Sequence, residues 1–436
     1  MSRPDWFPGD MLGLQVPVHA AALREGGCAW LTEAFRAAGA LGADNRVVEI
    51  RQFEEKLGGG TGRKLLLSVA YATPGPPTDL FVKFSRDYDD DFRDSLRSQM
   101  DPEVQFALLS RAPDFPVTVA RCMYADLHAE SGTGVLITER IPFGQGGIEP
   151  AYEKCLDYEI PEPLAHYNAL LKAVARLAGA HKAGRIPEAV AKHFPFDLSR
   201  LALMEPFRYS AAQLQRRIDR VSEFAAEFPQ LLPAHIRDPA FLARVQAEIP
   251  RFVEHEATIR DFLHARPELI ALCHWNANVD NGWFWPGADG ELQCGLLDWG
   301  GVNQLSVAMA LYGSLSGAEP ELWADHLDEL LAVFAAEYHA AGGPLVSVDE
   351  LRLHLQLMTA VMGLAWLMDA PAVVRKELPN LAEMESRADP RFKRNENARM
   401  RLHMITMFLD QWATRDFGAV LDGFLKAREE AFAMSP

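Results

Sequence analysis

Two short polar segments in the second half of the chain contain the residues best suited to chemistry. One is Leu272–Asn281 (LCHWNANVDN), and the other is Leu296–Gly300 (LLDWG), which closes an apolar strand-like run. The side chains of Asn281 and Asp298 offer hard oxygen ligands, which suit a Mg²⁺ ion that also contacts substrate phosphates. We therefore predict a metal site for a phosphate-bearing ligand, with Asn281 and Asp298 as its protein ligands.

Three further residues of the first segment have expected roles. His274 should support the loop through hydrogen bonds to backbone carbonyls. Asn276 can position a hydroxyl group, although an amide cannot take up the proton of that hydroxyl at neutral pH. Asp280 is a carboxylate directly beside the predicted metal ligand Asn281, so it is a candidate proton acceptor.

The first half of the chain supplies groups suited to binding phosphates. Lys83 closes an apolar strand and Glu103 lies on the following helix, so the two can form an ion pair that orients the lysine toward phosphate oxygens. Gly59, Gly60 and Gly62 lie between two strand-like runs, where glycine lets backbone amides approach a phosphate closely. The run does not match G-x-G-x-x-G, so a hairpin tip without a ligand is the alternative.

The pattern of apolar residues predicts a small sheet followed by helices. Up to Gly144 the chain alternates β-prone runs with turns, and it contains two helices, one over residues 29–38 and one beginning near Pro102. We predict strands at residues 47–50, 64–72, 79–84, 117–119 and 134–139. Beyond that point apolar residues recur every three to four positions, which predicts helices at residues 164–182, 240–265, 322–341, 349–368 and 398–430.

Taken in order, these motifs resemble those of the superfamily that includes aminoglycoside phosphotransferases, choline kinases and ecdysteroid-kinase-like proteins. In that superfamily the loop reads H-G-D-x-H-x-x-N, and a strand ending in I-D-W or I-D-F follows it. The resemblance covers roughly residues 47–312. The residues that carry it are Lys83, the hinge-like segment Leu136–Ile141 with Glu139, His181 at the end of a helix, Cys273–His274, Asn281 and Leu296–Trp299.

The resemblance implies an α+β, two-lobed protein-kinase-like fold with a small antiparallel β N-lobe and a large, mainly helical C-lobe. It divides the chain into an N-terminal extension at 1–45, a nucleotide-binding N-lobe at 46–143 and a helical C-lobe at 144–436 with the catalytic loop and the acceptor site. It also implies ATP and Mg²⁺ as cofactors and a small molecule with a hydroxyl group as acceptor. Glu139 would then take part in nucleotide binding.

The sequence departs from the pattern of this superfamily at four places. Trp275 replaces its Gly, Asn276 its catalytic Asp and Asn278 its second His, and no Asp occurs between Val302 and Leu311. Two functions therefore stay open. One is an ATP- and Mg²⁺-dependent phosphotransferase, and the other is a pseudokinase that binds a nucleotide or another ligand without transfer. A third use of ATP, nucleotidyl transfer, would need the same phosphate site with a different acceptor geometry.

Composition narrows the class of protein further. The formal net charge of −17 and the absence of a Lys/Arg run argue against a nucleic-acid partner, because such proteins displace counterions with clustered basic residues. The five cysteines are scattered, which fits reduced thiols. The chain has neither a secretory start nor an apolar run of about 18 residues, so we expect a cytoplasmic location and no membrane span. The oligomeric state stays open.

Overall fold

The structure, a computed structural model, describes residues 4–56, 62–87, 100–186, 193–197, 207 and 209–433. Its strands, in chain order, are β1 (Trp6–Pro8), β2 (Gln15–Pro17), β3 (Val47–Lys56), β4 (Arg63–Tyr71), β5 (Asp79–Phe84), β6 (Thr118–Val119), β7 (Cys122–His128), β8 (Thr133–Glu139), β9 (Ile270–Cys273), β10 (Gly282–Pro286), β11 (Leu292–Leu296) and β12 (Asn303–Ser306). Its α-helices are α1 (Ala20–Ala37), α2 (Met100–Leu109), α3 (Pro163–Lys182), α4 (Ala211–Glu227), α5 (Pro239–Glu254), α6 (Glu256–Ala265), α7 (Val307–Leu315), α8 (Pro320–Ala340), α9 (Val348–Trp366), α10 (Ala370–Glu377), α11 (Pro390–Arg394), α12 (Glu396–Arg415) and α13 (Phe417–Ala433).

A five-stranded antiparallel sheet dominates the first part of the chain. Its strand order is β3-β4-β5-β8-β7, and each neighbouring pair runs antiparallel. Side chains alternate between the two faces of a strand, so Leu65, Leu67 and Val82 share one face and are fully buried in a core with Leu31 and Phe35 of α1. The other face lies toward the second half of the chain.

The second part of the chain is mainly helical. Two short sheets interrupt it: β9 pairs with β12, and the β10–β11 hairpin pairs in parallel with β6. Helix α3 is buried along most of its length and packs against α8, β9 and β11. The predicted α+β class, with a small antiparallel sheet and a large helical part, is confirmed. The division at residues 45/46 and 143/144 stays a prediction.

The sequence pattern misplaced one strand of the five-stranded sheet. Thr118–Val119 was expected to belong to it, but these residues pair with Gly295–Leu296 of β11 in the other part of the fold. The fifth strand is β7, which the pattern missed because the polar residue Asp126 interrupts its apolar run. Asp126 is nevertheless fully buried.

Asp126 is buried because the N-terminal segment satisfies its carboxylate. The backbone amides of Met11 and Leu12 donate to it over 3.1 and 3.0 Å, and the amide of Leu127 donates over 2.8 Å. Met11 also packs against the apolar cluster that joins α2 to β7. The hairpin of β1 and β2, which the sequence did not predict, is thereby attached to the sheet beside α2.

Two long predicted helices are each divided in the structure. The predicted helix 240–265 is α5 and α6, which meet at His255, and the predicted helix 398–430 is α12 and α13, which meet at Asp416. Asp416 adopts a left-handed conformation with φ of 48°. Apolar spacing continues on both sides of each break, so periodicity alone did not reveal it. Helix α1 begins at Ala20, where His19 caps it, and is kinked at Gly27, which has φ of 55°; the part after the kink is the predicted helix 29–38, and the part before it was not predicted.

No helix in the described ranges is by itself long and apolar enough to cross a membrane. Helices α9 and α10 meet the length and composition requirements only as a pair. The chain bends by 51° between these two helices.

Candidate active site

Three charged side chains from separate elements meet between the two parts of the fold. Lys83 is the penultimate residue of β5, Glu103 lies on the first turn of α2, and Asp298 follows β11. The Lys83 Nζ atom lies 2.7 Å from Glu103 Oε2 and 2.9 Å from Asp298 Oδ1. Lys83 and Glu103 are only 4% and 5% exposed. The structure therefore forms the predicted lysine–glutamate pair and adds the predicted metal ligand to it.

The electrostatics of this cluster keep Lys83 charged. Burial by itself lowers the pKa of Lys83, but the carboxylates of Glu103 and Asp298 raise it above its usual value. Burial raises the pKa of Asp298, and opposing interactions, chiefly those with the Lys83 ammonium, together outweigh this, so that the pKa falls below its usual value. Two carboxylates thus share one ammonium group. An excess of negative charge remains when both are ionised, which favours a nearby cation.

The backbone at Asp298 is held in an uncommon conformation. Asp298 has φ of 59° and ψ of 65°, in the left-handed region that non-glycine residues seldom occupy. The next residue, Trp299, stacks on Phe106 of α2 with 3.7 Å between ring centroids and lies 4.4 Å from the His274 ring. This packing ties the segment after β11 to the helix that carries Glu103.

His274 connects the polar loop to the strand before Asp298. It is fully buried, its Nε2 atom donates to the Leu297 carbonyl over 2.7 Å, and its Nδ1 atom accepts from the Asn276 amide over 3.2 Å. An amide can only donate, so Nδ1 carries no proton and the ring is neutral. Burial lowers the pKa of His274 to about 4, in agreement with this state. The contacts are those expected of a supporting residue.

Hydrogen bonds among three asparagines shape the rest of the loop. The Asn281 Nδ2 atom donates to the Asn276 carbonyl over 2.8 Å, which leaves the Asn281 side-chain oxygen for another ligand. The Asn278 Nδ2 atom donates to Asn276 Oδ1 over 3.0 Å, and Ser316 Oγ donates to Asn278 Oδ1 over 2.7 Å. Neither Asn278 nor Ser316 had been assigned this positioning contact from the sequence.

Asn281 and Asp298 are brought together by the strand ends that carry them. The Leu297 amide donates to the Asn281 carbonyl over 2.7 Å, so the two segments run side by side. Among the described residues, no group of three or more His, Cys, Asp or Glu side chains could hold a metal. The pair still suits Mg²⁺, which is commonly bound by one or two protein oxygens and completes its shell with phosphate and water.

Trp275, where the superfamily pattern has glycine, interlocks with two glycines. A methyl group at Gly301 would overlap the Trp275 indole, and one at Gly313 on α7 would overlap the Trp275 carbonyl. The indole of Trp275 is thus accommodated by the absence of a side chain at Gly301, whereas Gly313 lets α7 approach the backbone of Trp275 closely. Sequence reasoning did not find this, because the three residues are spread over 39 positions of the chain.

We expect Gly313→Ala to destabilise the protein although alanine is the better helix former. Alanine in place of a helical glycine normally stabilises by up to about 1 kcal/mol, whereas overpacking costs about 1 to 3 kcal/mol. Urea unfolding should therefore show a lower free energy of unfolding for this variant. Gly423→Ala on α13 is the matched control, since nothing lies within 4 Å of a methyl group there. Equal effects of the two substitutions would contradict the interlock.

Asp280 faces a lysine that the sequence had not singled out. The Lys154 Nζ atom lies 3.6 Å from Asp280 Oδ2. Burial raises the pKa of Asp280, and Lys154 opposes this without cancelling it. A buried carboxylate of raised pKa is a better proton acceptor near neutral pH than an exposed one. Asp280 is thus a buried carboxylate of raised pKa within the loop, next to the predicted metal ligand Asn281, and its role as proton acceptor stays a prediction.

The contacts of the other residues predicted to bind nucleotide say little about that role. Gly59 and Gly60 lie outside the described residues. Gly62 is described, and a side chain there would overlap the carbonyl oxygen of Phe84 at the end of β5, which gives it a packing reason. Glu139 stands at the end of β8, where its side chain accepts from the Arg121 amide over 2.8 Å. Neither contact tests a role in nucleotide binding.

Comparisons with known proteins gave structural neighbours only. No protein-family model matches the chain, and no curated protein matches its sequence. A choline kinase from Cryptosporidium parvum Iowa II aligns with a TM-score of 0.45 and 11% identity, over 86% of this chain and 93% of the other. A microcompartment-associated aminopropanol kinase aligns with a TM-score of 0.44 and 14% identity, over 90% and 99%.

A spectinomycin phosphotransferase, solved with ADP and spectinomycin, aligns with a TM-score of 0.40 and 12% identity, over 86% of this chain and 93% of the other. All three TM-scores lie below 0.5, so we argue the function from the residues of the site. By their names, these three neighbours are kinases or phosphotransferases of small molecules.

Proposed function

We propose that this protein binds ATP with Mg²⁺ and transfers the terminal phosphoryl group to a hydroxyl of a small molecule. The observation that carries the proposal is the position of Lys83, whose ammonium contacts Glu103 and Asp298 at once. A lysine held by a glutamate beside a metal-binding aspartate is the arrangement that orients nucleotide phosphates in kinases. The family resemblance of the motifs points the same way.

Under this proposal, each predicted binding residue has a defined role. Lys83 would contact phosphate oxygens, and Glu103 would keep it in place. Asn281 and Asp298 would hold Mg²⁺, which when bound neutralises phosphate charge. The amides near Gly59, Gly60 and Gly62 would face the phosphates, and the chain at Glu139 would border the nucleotide.

Transfer requires little covalent chemistry from the protein. The bond between the terminal phosphorus and its bridging oxygen breaks, a bond to the acceptor oxygen forms, and the acceptor proton leaves. Asn276 would orient the acceptor hydroxyl, and Asp280 is the candidate for its proton. Because an amide is no base, a chain that relies on Asn276 alone should be slower by about 10² to 10⁴.

The presence of Asn276, where the superfamily pattern has its catalytic Asp, favours a second function. A pseudokinase would bind ATP or another ligand through Lys83, Asn281 and Asp298 without transfer, and Asn276 is the observation in its favour. Nucleotidyl transfer is a third use of the phosphate site, with a different acceptor geometry. These functions share nucleotide binding and differ in products.

The test is the melting temperature of the purified protein with ATP and Mg²⁺ together, compared with either alone. A ligand that binds only the native state stabilises it by about 2.7 kcal/mol at 100 times its Kd, so we expect the largest rise with both. Phosphoryl transfer would then be sought by ATP consumption with small hydroxylated acceptors. Binding without consumption would support the pseudokinase, and no rise at millimolar ATP would overturn the proposed nucleotide site.

A further inference from the structure

Lys154 lies in the segment between β8 and α3, which has no part in the proposed function. Its ammonium group has three N–H donors. Its nearest acidic partner is Asp280, and at 3.6 Å their contact is an ion pair too long for a good hydrogen bond. The donors of Lys154 therefore retain capacity for an oxygen anion that enters the site.

The backbone at Lys154 is held firmly from the other end of the chain. Arg399 of α12 is only 5% exposed, and its Nε atom donates to the Lys154 carbonyl over 2.7 Å. The next residue, Cys155, is buried and has φ of 55°. A buried, non-glycine residue in the left-handed region is retained only where its surroundings impose that conformation. The position of Lys154 is thus built into the fold.

The charge of Lys154 interacts with two carboxylates, those of Asp280 and Asp298. Burial lowers its pKa, but Asp280 raises it above the usual value, and Asp298 contributes in the same direction. Lys154 in turn helps to lower the pKa of Asp298. Asp280 directly precedes the proposed metal ligand Asn281, so the Lys154 ammonium, 3.6 Å from Asp280, lies beside the segment that carries that ligand.

The neutral side chain of Asn276 matters for this lysine. A carboxylate at position 276 would give the loop a further negative charge close to Asp280. With an amide there, Lys154 has less negative charge to neutralise, so more of its field acts on an incoming anion.

We propose that Lys154 binds the terminal phosphate of ATP. The inference rests on the proposed function, because it requires ATP at this site. The terminal phosphate is the anion that would lie next to the metal ligands Asn281 and Asp298. ADP lacks that phosphate, so the contact should distinguish the two nucleotides.

The test is calorimetric binding of ATP and of ADP, each with Mg²⁺, to the full chain and to its Lys154→Met variant. Removal of one hydrogen bond to a charged group should weaken ATP binding by about 10- to 100-fold. ADP binding should change less than twofold. Lys154→Arg keeps the charge and should retain most of the ATP affinity.

Lys393→Met is the matched control. Lys393 also forms an ion pair with one carboxylate, Glu159 at 2.9 Å, but its side chain is 46% exposed. It should leave both affinities unchanged. Melting temperatures of all variants show whether the fold is retained.

Two results would overturn the role of Lys154 while the proposed function stands. One is an unchanged ATP affinity in Lys154→Met, which would restrict the lysine to its pair with Asp280 or to an anionic acceptor. The other is an equal loss for ATP and ADP. If the unaltered chain bound neither nucleotide with Mg²⁺, the proposed function itself would fail.

Discussion

Asp298→Ala is expected to abolish the Mg²⁺-dependent part of nucleotide binding. Asp298 is one of two proposed metal ligands and also contacts Lys83 over 2.9 Å. Loss of an outer-shell partner typically costs 10- to 100-fold in metal affinity, so loss of a ligand should cost at least about 100-fold. Calorimetric titration with ATP in the presence and absence of Mg²⁺ measures the effect directly.

Asp289→Ala provides the matched control for this measurement. Asp289 is an exposed aspartate in the turn between β10 and β11, the strand that leads to Asp298. Its removal should leave nucleotide affinity unchanged. If Asp298→Ala bound ATP and Mg²⁺ as tightly as the unaltered chain, the site would have been assigned to the wrong residues.

Asn276→Asp is expected to raise phosphoryl transfer by about 10² to 10⁴, while ATP binding is retained but weakened by the added negative charge near Asp280. The new carboxylate has the shape of the amide and can still accept the hydrogen bond that Asn278 now donates over 3.0 Å. It can also take up the acceptor proton, which the amide cannot. ATP consumption, with water or a small hydroxylated compound as acceptor, measures the gain.

Asp280→Asn tests whether Asp280 is the proton acceptor, as distinct from a carboxylate introduced at position 276. If Asp280 accepts the proton in the unaltered chain, this substitution should remove transfer, and Asn276→Asp should restore it in the double variant. Turnover that is unaffected by Asn276→Asp, in a protein that binds ATP and Mg²⁺, would show that position 276 does not limit the reaction.

The sequence predicted the residues of the site best where chemistry restricts the residue type. A metal beside phosphates needs oxygen ligands, and a phosphate-binding lysine needs an acidic partner, so Lys83, Glu103, Asn281 and Asp298 could be named in advance. Their meeting in space follows from the fold class, which the order of strands and helices also predicted. Roles still await the experiments above.

Lys154 and β7 escaped prediction for a shared physical reason. The position of Lys154 depends on Arg399, which is 245 residues away in sequence. Asp126 interrupts β7 in sequence, yet it is buried because amides of the N-terminal segment donate to it. A local sequence pattern does not show which distant residues will pair with a polar or charged side chain. Such a residue is therefore predicted to lie in a loop or on the surface.

The fit of the Trp275 indole against Gly301 restricts how this part of the sequence could have evolved. If this loop descends from one with glycine at position 275, the tryptophan could enter only after position 301 had lost any side chain, because Gly301 is the glycine that faces the indole. Reversal is equally restricted, because Trp275→Gly alone would leave a void beside Gly301 that nothing fills. Positions 275 and 301 should therefore change as a pair, and grafting this loop onto another protein of similar fold would require a glycine at the position of Gly301.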